Sequence, residues 1–312
     1  MASTTPQTPK SVIVFGPTGN IGSYCARTAA QHGAKVHLAM RDTSKSIPGL
    51  SSEQEKEGPF ARVQADLTDP ELVASAVSHS SAKHAFIYAA HGSKDAMKST
   101  IQALKDNGIE LVVFLSSFTV PRSIRDVPRS EVIPYWHATV EVSLEDVYGA
   151  GNFVALRPGA SATNCLRWAS SANLGHVSLY GPKFKMDCIT PGDMGRVAGT
   201  ILANGPQDGD THVYLYGPQV LIQQEMVETI GKAVGTAVEV KGQTPEEATE
   251  QFVKAGVPKP VIDYMVLRLS DDEAQAVERM RYEERVGNVK RYTGRESQGF
   301  EEWVGENREL FA

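Results

Sequence analysis

Apolar and polar positions along the first 160 residues alternate between two periods. Short apolar runs at Ser11–Phe15, Lys35–Met40, 60–65, 84–90, 110–116 and 152–157 predict buried strands. Between them apolar residues recur at helical spacing. Residues 20–32 set Ile21, Cys25 and Ala29 on one side, and further helices are predicted after Asp69-Pro70, over 94–107 and over 135–148. Residues 42–59 are polar and punctuated by Gly and Pro, which predicts a loop. Short strands alternating with amphipathic helices predict a parallel sheet covered on both faces. Right-handed crossovers then make a doubly wound α/β sheet the natural arrangement.

Beyond residue 158 the rhythm loosens. Thr190-Pro191-Gly192-Asp193 opens a helix, and 211–216 alternates like a strand. Helical spacing returns over 222–234, 237–241 reads as a strand, and Thr244-Pro245-Glu246-Glu247 is a capping box. The charged last third ends in a segment carrying Phe300, Trp303 and Phe311. The predicted plan is a disordered tail over 1–10 and a nucleotide-binding domain over 11–160, with returning segments near 187–217. A smaller α/β C-terminal substrate lid takes 161–186 and 218–312.

Composition narrows the function classes. Of 312 residues, 41% are apolar and 22% charged, enough for a sizeable core and against wholesale disorder. The net charge of −6 argues against broad electrostatic capture of nucleic acid or anionic lipid. Cys25, Cys165 and Cys188 have no C-x-x-C spacing, and His, Asp and Glu show no metal-ligand spacing, so buried thiols and no metal are expected. The N-terminal tail lacks the apolar stretch of a secretory signal, and no apolar run reaches the ~20 residues of a membrane span. A cytoplasmic protein that acts on a small molecule is expected, with a homodimer or a regulatory protein partner left open.

Gly16-Pro17-Thr18-Gly19-Asn20-Ile21-Gly22 joins the first strand to the first helix. Gly16 permits a sharp exit from the strand, Gly19 lets backbone approach a pyrophosphate, and Gly22 allows close helix packing. The N–H groups around Thr18, Asn20 and Ile21, with the helix dipole, then face the diphosphate, as in a Rossmann-like domain. The end of the second strand selects the coenzyme. A carboxylate there holds the ribose 2′-hydroxyl, whereas Arg accepts a 2′-phosphate. Arg41 comes first after Met40 with Lys45 nearby, and Asp42 is the competing signal; the reading is NADP(H). Asp66 and Leu67 end the third strand, where a carboxylate can accept from the adenine amino group and Leu67 can pack on the ring. Ala89, Ala90 and His91 end the fourth strand, at the rim of the cofactor crevice.

The glycine turn, Arg41, Asp66-Leu67, Phe114-Leu115-Ser116-Ser117-Phe118, Leu156-Arg157-Pro158-Gly159, Asp193-Met194-Gly195, and late Thr293-Gly294-Arg295 with Phe300-Glu301-Glu302-Trp303 together resemble the NmrA-like group of atypical short-chain dehydrogenases. The resemblance covers most of 11–310. It implies a Rossmann-like domain, NADP(H), and a small C-terminal lid that forms the substrate cleft. Members of that group divide into reductases of quinones, dyes, imines or phenolic compounds, and proteins that bind the dinucleotide to sense redox state.

The short-chain dehydrogenase pattern is Tyr-x-x-x-Lys, whose spacing of one helical turn puts both side chains on one face. Here the position reads Tyr135-Trp136-His137-Ala138-Thr139, with Thr139 in place of the cation. Thr139 can hydrogen-bond a ribose hydroxyl but carries no charge, and a phenol without a neighbouring cation is a proton donor rather than a base near neutral pH. If Tyr135 is catalytic, the surviving direction is reduction. Ser116 and Ser117 close the fifth strand, where the parent pattern places a substrate-binding Ser; Ser116 also borders the cofactor. His91 is a second candidate proton donor or ribose ligand, while His137 lies about 200° round the helix from Tyr135. Pro158 and Gly159 would press on the nicotinamide, and Asn164, Cys165, Trp168 and Tyr180 lie in a segment that could cover it. No G-x-S-x-G elbow indicates a hydrolase. The expected function is an NADPH-dependent reductase of a small carbonyl, quinone or imine, with Tyr135 or water as proton donor. The alternatives are an NADP(H)-sensing regulator and non-redox use of the fold.

Overall fold

Each of the six apolar runs forms a strand in the computed structural model, which describes residues 10–271 and 278–311. In chain order the elements are β1 (Ser11–Phe15), α1 (Asn20–Gln31), β2 (Lys35–Met40), α2 (Ser52–Glu57), β3 (Phe60–Gln64), α3 (Pro70–Ser80), β4 (His84–Tyr88), α4 (Lys98–Asp106), β5 (Leu111–Leu115), α5 (Val132–Tyr148) and β6 (Phe153–Pro158). There follow α6 (Ala169–Asn173), β7 (His176–Leu179), β8 (Lys185–Met186), α7 (Pro191–Asn204), β9 (His212–Leu215), β10 (Leu221–Ile222), α8 (Gln223–Val234) and β11 (Glu239–Gly242). The chain ends in α9 (Pro245–Lys254), α10 (Lys259–Arg268), α11 (Tyr282–Arg285), α12 (Asn288–Thr293) and α13 (Phe300–Glu306). The seven-stranded sheet has the order β3-β2-β1-β4-β5-β6-β9, parallel from β3 through β6. The strand order reverses between β1 and β4, the topological switch point where open α/β sheets bind ligands.

The chain divides into two units. The first comprises Met1–Ser116, Val140–Leu156 and Met194–Val213. Its core packs Ile13, Phe15, Ile87 and Phe114 of the sheet against Val77 of α3, Ile101 of α4 and Leu144 of α5. Elsewhere in the unit α1 and α7 meet with almost no gap, because a Cβ on Gly195 would lie 2.4 Å from Tyr24 Cβ and one on Gly199 2.5 Å from the Cys25 carbonyl oxygen. The second unit comprises Ser117–Thr139, Arg157–Asp193 and Tyr214–Ala312. Cys165, Trp168, Met226, Ile230, Trp303 and Phe311 fill its core, beside a parallel β7–β11 pair and an antiparallel β8–β10 pair. Asp193 ties the C-terminal segment down by accepting from Ser297 Oγ and Gln298 N at 3.0 and 2.9 Å. All three cysteines are free and buried, and no helix among the described residues is long and apolar enough to cross a membrane.

Three expectations are corrected. The predicted loop over 42–59 contains α2, held by a Ser51–Gln54 capping box. That helix buries no residue, so it leaves no apolar stripe in the sequence. The helix predicted from 94 starts only at Lys98, because Ala96 and Met97 take positive φ. The helix predicted from 135 starts at Val132. The predicted tail falls, except for residue 10, outside the described residues.

His37 in β2 is 4% exposed, and neither ring nitrogen has a hydrogen-bond partner among the described residues. Burial, helped by the charges of Lys35 and His79, pushes its pKa down to about 4. An unfolded histidine titrates near 6.5. As pH falls below that value the unfolded chain takes up a proton that the folded state refuses until about 4, so stability declines across that window. Thermal melts from pH 7 to 4 should show a falling Tm, and His37→Leu should flatten the slope by up to ~3 kcal/mol of acid-dependent stability. An unaltered slope would remove His37 from the acid response.

Candidate functional site

The first unit carries a groove of about 300 Å³ at the carboxyl ends of four strands: Gly16 and Thr18 after β1, Arg41 after β2, Asp66 and Leu67 after β3, and Tyr88, Ala90 and His91 at β4. The glycine turn is built from backbone. Gly16 has φ +72° and donates its N–H to the Ala39 carbonyl at 3.0 Å, and a Cβ there would meet the Tyr88 ring at 2.7 Å. At Gly22 a Cβ would stand 2.2 Å from the Gly16 carbonyl oxygen. Gly19 differs from both. Its φ is −86°, open to any residue, and a Cβ there would make only ordinary contact, 3.5 Å from the Gly16 oxygen. Nothing among the described residues requires glycine at that position, whereas a phosphate lying over the turn would. Gly19 is also the N-cap of α1, which has no side-chain cap and no acid in its first turn, so its opening N–H groups are left for an anion. The residues therefore fit a dinucleotide.

Geometry separates Arg41 from Asp42. Asp42 is turned onto its own loop, accepting from Ser44 N at 2.9 Å and Ser44 Oγ at 2.6 Å, bonds that hold its carboxyl below the usual range. Arg41 lines the groove, and no carboxylate lies within ion-pair distance of it among the described residues. Asp66 Oδ1 accepts from Thr68 N and Oγ1 at 2.9 and 2.8 Å. Those bonds, with the charge of Arg41, keep it ionised, and its second oxygen has no hydrogen-bond partner among the described residues. Lys45, Asn20, Ile21 and Ala89 lie outside the groove lining. Arg41→Ala should weaken NADPH binding about tenfold and leave NADH binding unchanged; equal losses for both would show that Arg41 does not read the 2′-phosphate.

Ser116 and Ser117 part company. Ser116 is buried in the first unit, where its hydroxyl donates to the fully buried Glu141, whose other oxygen lies 3.6 Å from His212 Nε2. Ser117 belongs to the second unit and lines a cavity of about 340 Å³ there, together with Gly159 and Asn164. Tyr135 is half-buried on α5, outside that lining, with the Arg129 guanidinium 6.0 Å over its ring. Thr139 Oγ1 sits 2.9 Å from the Tyr135 carbonyl and 3.1 Å from that of Trp136, a local back-bond within the helix. Pro158 is buried and its carbonyl accepts from Phe118 N. Cys165 and Trp168 are core residues, and Tyr180 donates to the Val266 carbonyl at 2.7 Å.

Sequence reading missed Tyr88, Glu141 and Asp187. Asp187 is fully buried and accepts from Ala160 N, Gly217 N and Arg279 Nε at 3.3, 3.2 and 2.8 Å. Its carboxylate is the reason for glycine at 159, where a Cβ would lie 1.9 Å from Oδ2. No local pattern marks a residue whose partners lie 27, 30 and 92 positions away. Tyr88 sits one position before the strand end read as Ala89.

The sequence profile of the NmrA-like family matches residues 8–303. The nitrogen metabolite regulation-like protein bik4 of Gibberella fujikuroi is 36% identical over 314 residues, spanning 94% of this chain and 95% of its own. Among solved structures, triphenylmethane reductase of Citrobacter sp. has a TM-score of 0.72 at 15% identity, covering 96% of this chain and 99% of its own. An NADPH-dependent quinone oxidoreductase of Escherichia coli, solved with NADPH, has a TM-score of 0.72 at 17% identity, covering 95% and 99%. The two solved structures share this chain's fold.

Proposed function

The chain belongs to the NmrA-like family, and from that premise we propose that it is an NADPH-dependent reductase of a small organic carbonyl, quinone or imine. The observation that carries this reading is the groove of the first unit, where Arg41 stands at the end of β2 with no carboxylate in ion-pair distance among the described residues, beside a glycine turn whose Gly19 no contact among those residues demands. The first N–H groups of α1 would hold the pyrophosphate, Arg41 the 2′-phosphate and Asp66 the adenine amino group. His91, Ala89 and Ala90 would border the nicotinamide side of the groove. The reduced nicotinamide, when bound, supplies the hydride. In the second unit Ser117 would donate a hydrogen bond to the acceptor oxygen or nitrogen, and Tyr135 or a water would deliver the proton that completes reduction. The NADPH-bound quinone oxidoreductase and the dye reductase that share the fold support this reading.

A second reading is a dinucleotide-sensing regulator. Thr139, in place of a cation, and the regulatory name of the 36% identical relative favour it. Calorimetry with NADPH and NADH, followed by NADPH consumption with a panel of quinones, aldehydes and imines, separates the two. Binding with turnover supports the reductase. Tight binding without turnover on the whole panel favours the sensor, and no binding of either coenzyme overturns both.

A further inference from the structure

Arg167 lies on a short 3-10 helix of the second unit and projects into the 340 Å³ cavity that also holds Ser117. Its side chain remains accessible to solvent at the cavity. The guanidinium is held, not loose. One Nη donates to Gln223 Oε1 at 2.8 Å, and the plane lies 4.5 Å over the Trp168 ring. Gln223 is 1% exposed, and its amide nitrogen is fixed by the Tyr180 and Gly181 carbonyls at 2.9 and 2.7 Å. Its oxygen therefore points at Arg167 by construction.

Among the described residues Arg167 has no counter-charge. A guanidinium has five N–H donors, and Gln223 is the only hydrogen-bond acceptor for them among the described residues. The cavity's other two arginines are both neutralised: Arg268 pairs with Glu131 at 2.5 Å and Arg279 with the buried Asp187 at 2.8 Å. No carboxylate lines the cavity among the described residues. Arg167 also borders two adjoining cavities: one sets Glu247 and Glu250 beside Lys241 and Lys254, and the other, like this one, is lined by no carboxylate among the described residues but lacks the Phe118, Phe184 and Met186 wall. Phe118, Phe184 and Met186 make the rest of the wall largely apolar.

We propose that Arg167 recognises a single carboxylate on a compact aromatic substrate, whose ring lies along Phe118, Phe184 and Met186 in this cavity. A planar guanidinium matches a carboxylate with paired N–H donors, and an apolar wall around the pair strengthens it. The proposal rests on the reductase reading for the word substrate; the anion preference stands on the cavity alone.

The test uses 2-naphthoate and its neutral amide, 2-naphthamide, titrated calorimetrically into the full chain. Naphthoate should bind at least tenfold tighter than the amide. Arg167→Gln should reduce that preference below twofold, and Arg167→Lys should restore part of it. Asn164→Trp, at an exposed position on the same wall, should block naphthoate with Arg167 intact. NADPH titration of every variant runs in parallel as the check on the first unit. Equal affinity for acid and amide in the unaltered protein overturns the proposal, and so does a naphthoate preference that survives Arg167→Gln. Failure to bind NADPH would overturn the reductase reading and leave the naphthoate result to decide the cavity's charge preference independently.

Discussion

Tyr135→Phe should slow NADPH-dependent reduction of an accepted quinone or aldehyde by about 10²–10⁴-fold, the range for loss of a positioned general acid. Coenzyme binding should not change, because the groove that carries it has no contribution from Tyr135. Thr139 gives the expectation its direction. Its hydroxyl sits 2.9 and 3.1 Å from the carbonyls of Tyr135 and Trp136, and that position supplies the phenol no cation. With Thr139 where the short-chain dehydrogenase pattern has Lys, the role proposed for Tyr135 is proton donor, and reduction should be catalysed far better than the reverse oxidation. Steady-state rates in both directions, for both proteins, check this. An unchanged reduction rate in Tyr135→Phe assigns the proton to water.

The second large effect is expected at Gly22. Alanine there sets its Cβ 2.2 Å from the Gly16 oxygen and 3.3 Å from Pro17 Cα, backbone atoms with nowhere to go. Gly16 is pinned to the Ala39 carbonyl, carries φ +72° and has Tyr88 against it. The turn must deform. NADPH affinity should fall at least 100-fold, and overpacking of about 1–3 kcal/mol should lower Tm by roughly 3–10 °C. Gly19→Ala is the matched comparison. It meets only the Gly16 oxygen at ordinary distance, so stability should drop by no more than about 1 kcal/mol while NADPH binding still suffers. If Gly22→Ala binds NADPH normally, the turn does not hold phosphates.

Legibility followed the range of the interactions. The central strands of the first unit were readable because most of the residues of β1, β5 and β6 are apolar and buried and leave a nearly continuous run, and α3 because Asp69 caps it with Pro70 at its first position. The surface helix α2 was not, since it is held by a capping box and the Glu55–Arg62 ion pair and all its residues are polar. The same division holds for the site. Gly16, Arg41 and Asp66 come at fixed offsets from strand ends, so their shared groove was foreseeable. Asp187 and Arg279 are 92 positions apart and gave no local sign.

The chain's own order of residues therefore determined the alternating strands and helices, the glycine turn and the pair of rival charges at 41 and 42, because each is set by neighbours within a helical turn or a strand. Only the folded chain decided which of those charges faces the groove, that Ser116 is taken up by Glu141 while Ser117 looks into a cavity, and that Arg167 has no counter-charge among the described residues. Asp42 is turned aside by Ser44 two positions on, but the fates of Ser116 and Arg167 depend on which distant groups fold against each side chain, and hydrogen bonds and ion pairs between segments tens of residues apart leave no periodicity to read.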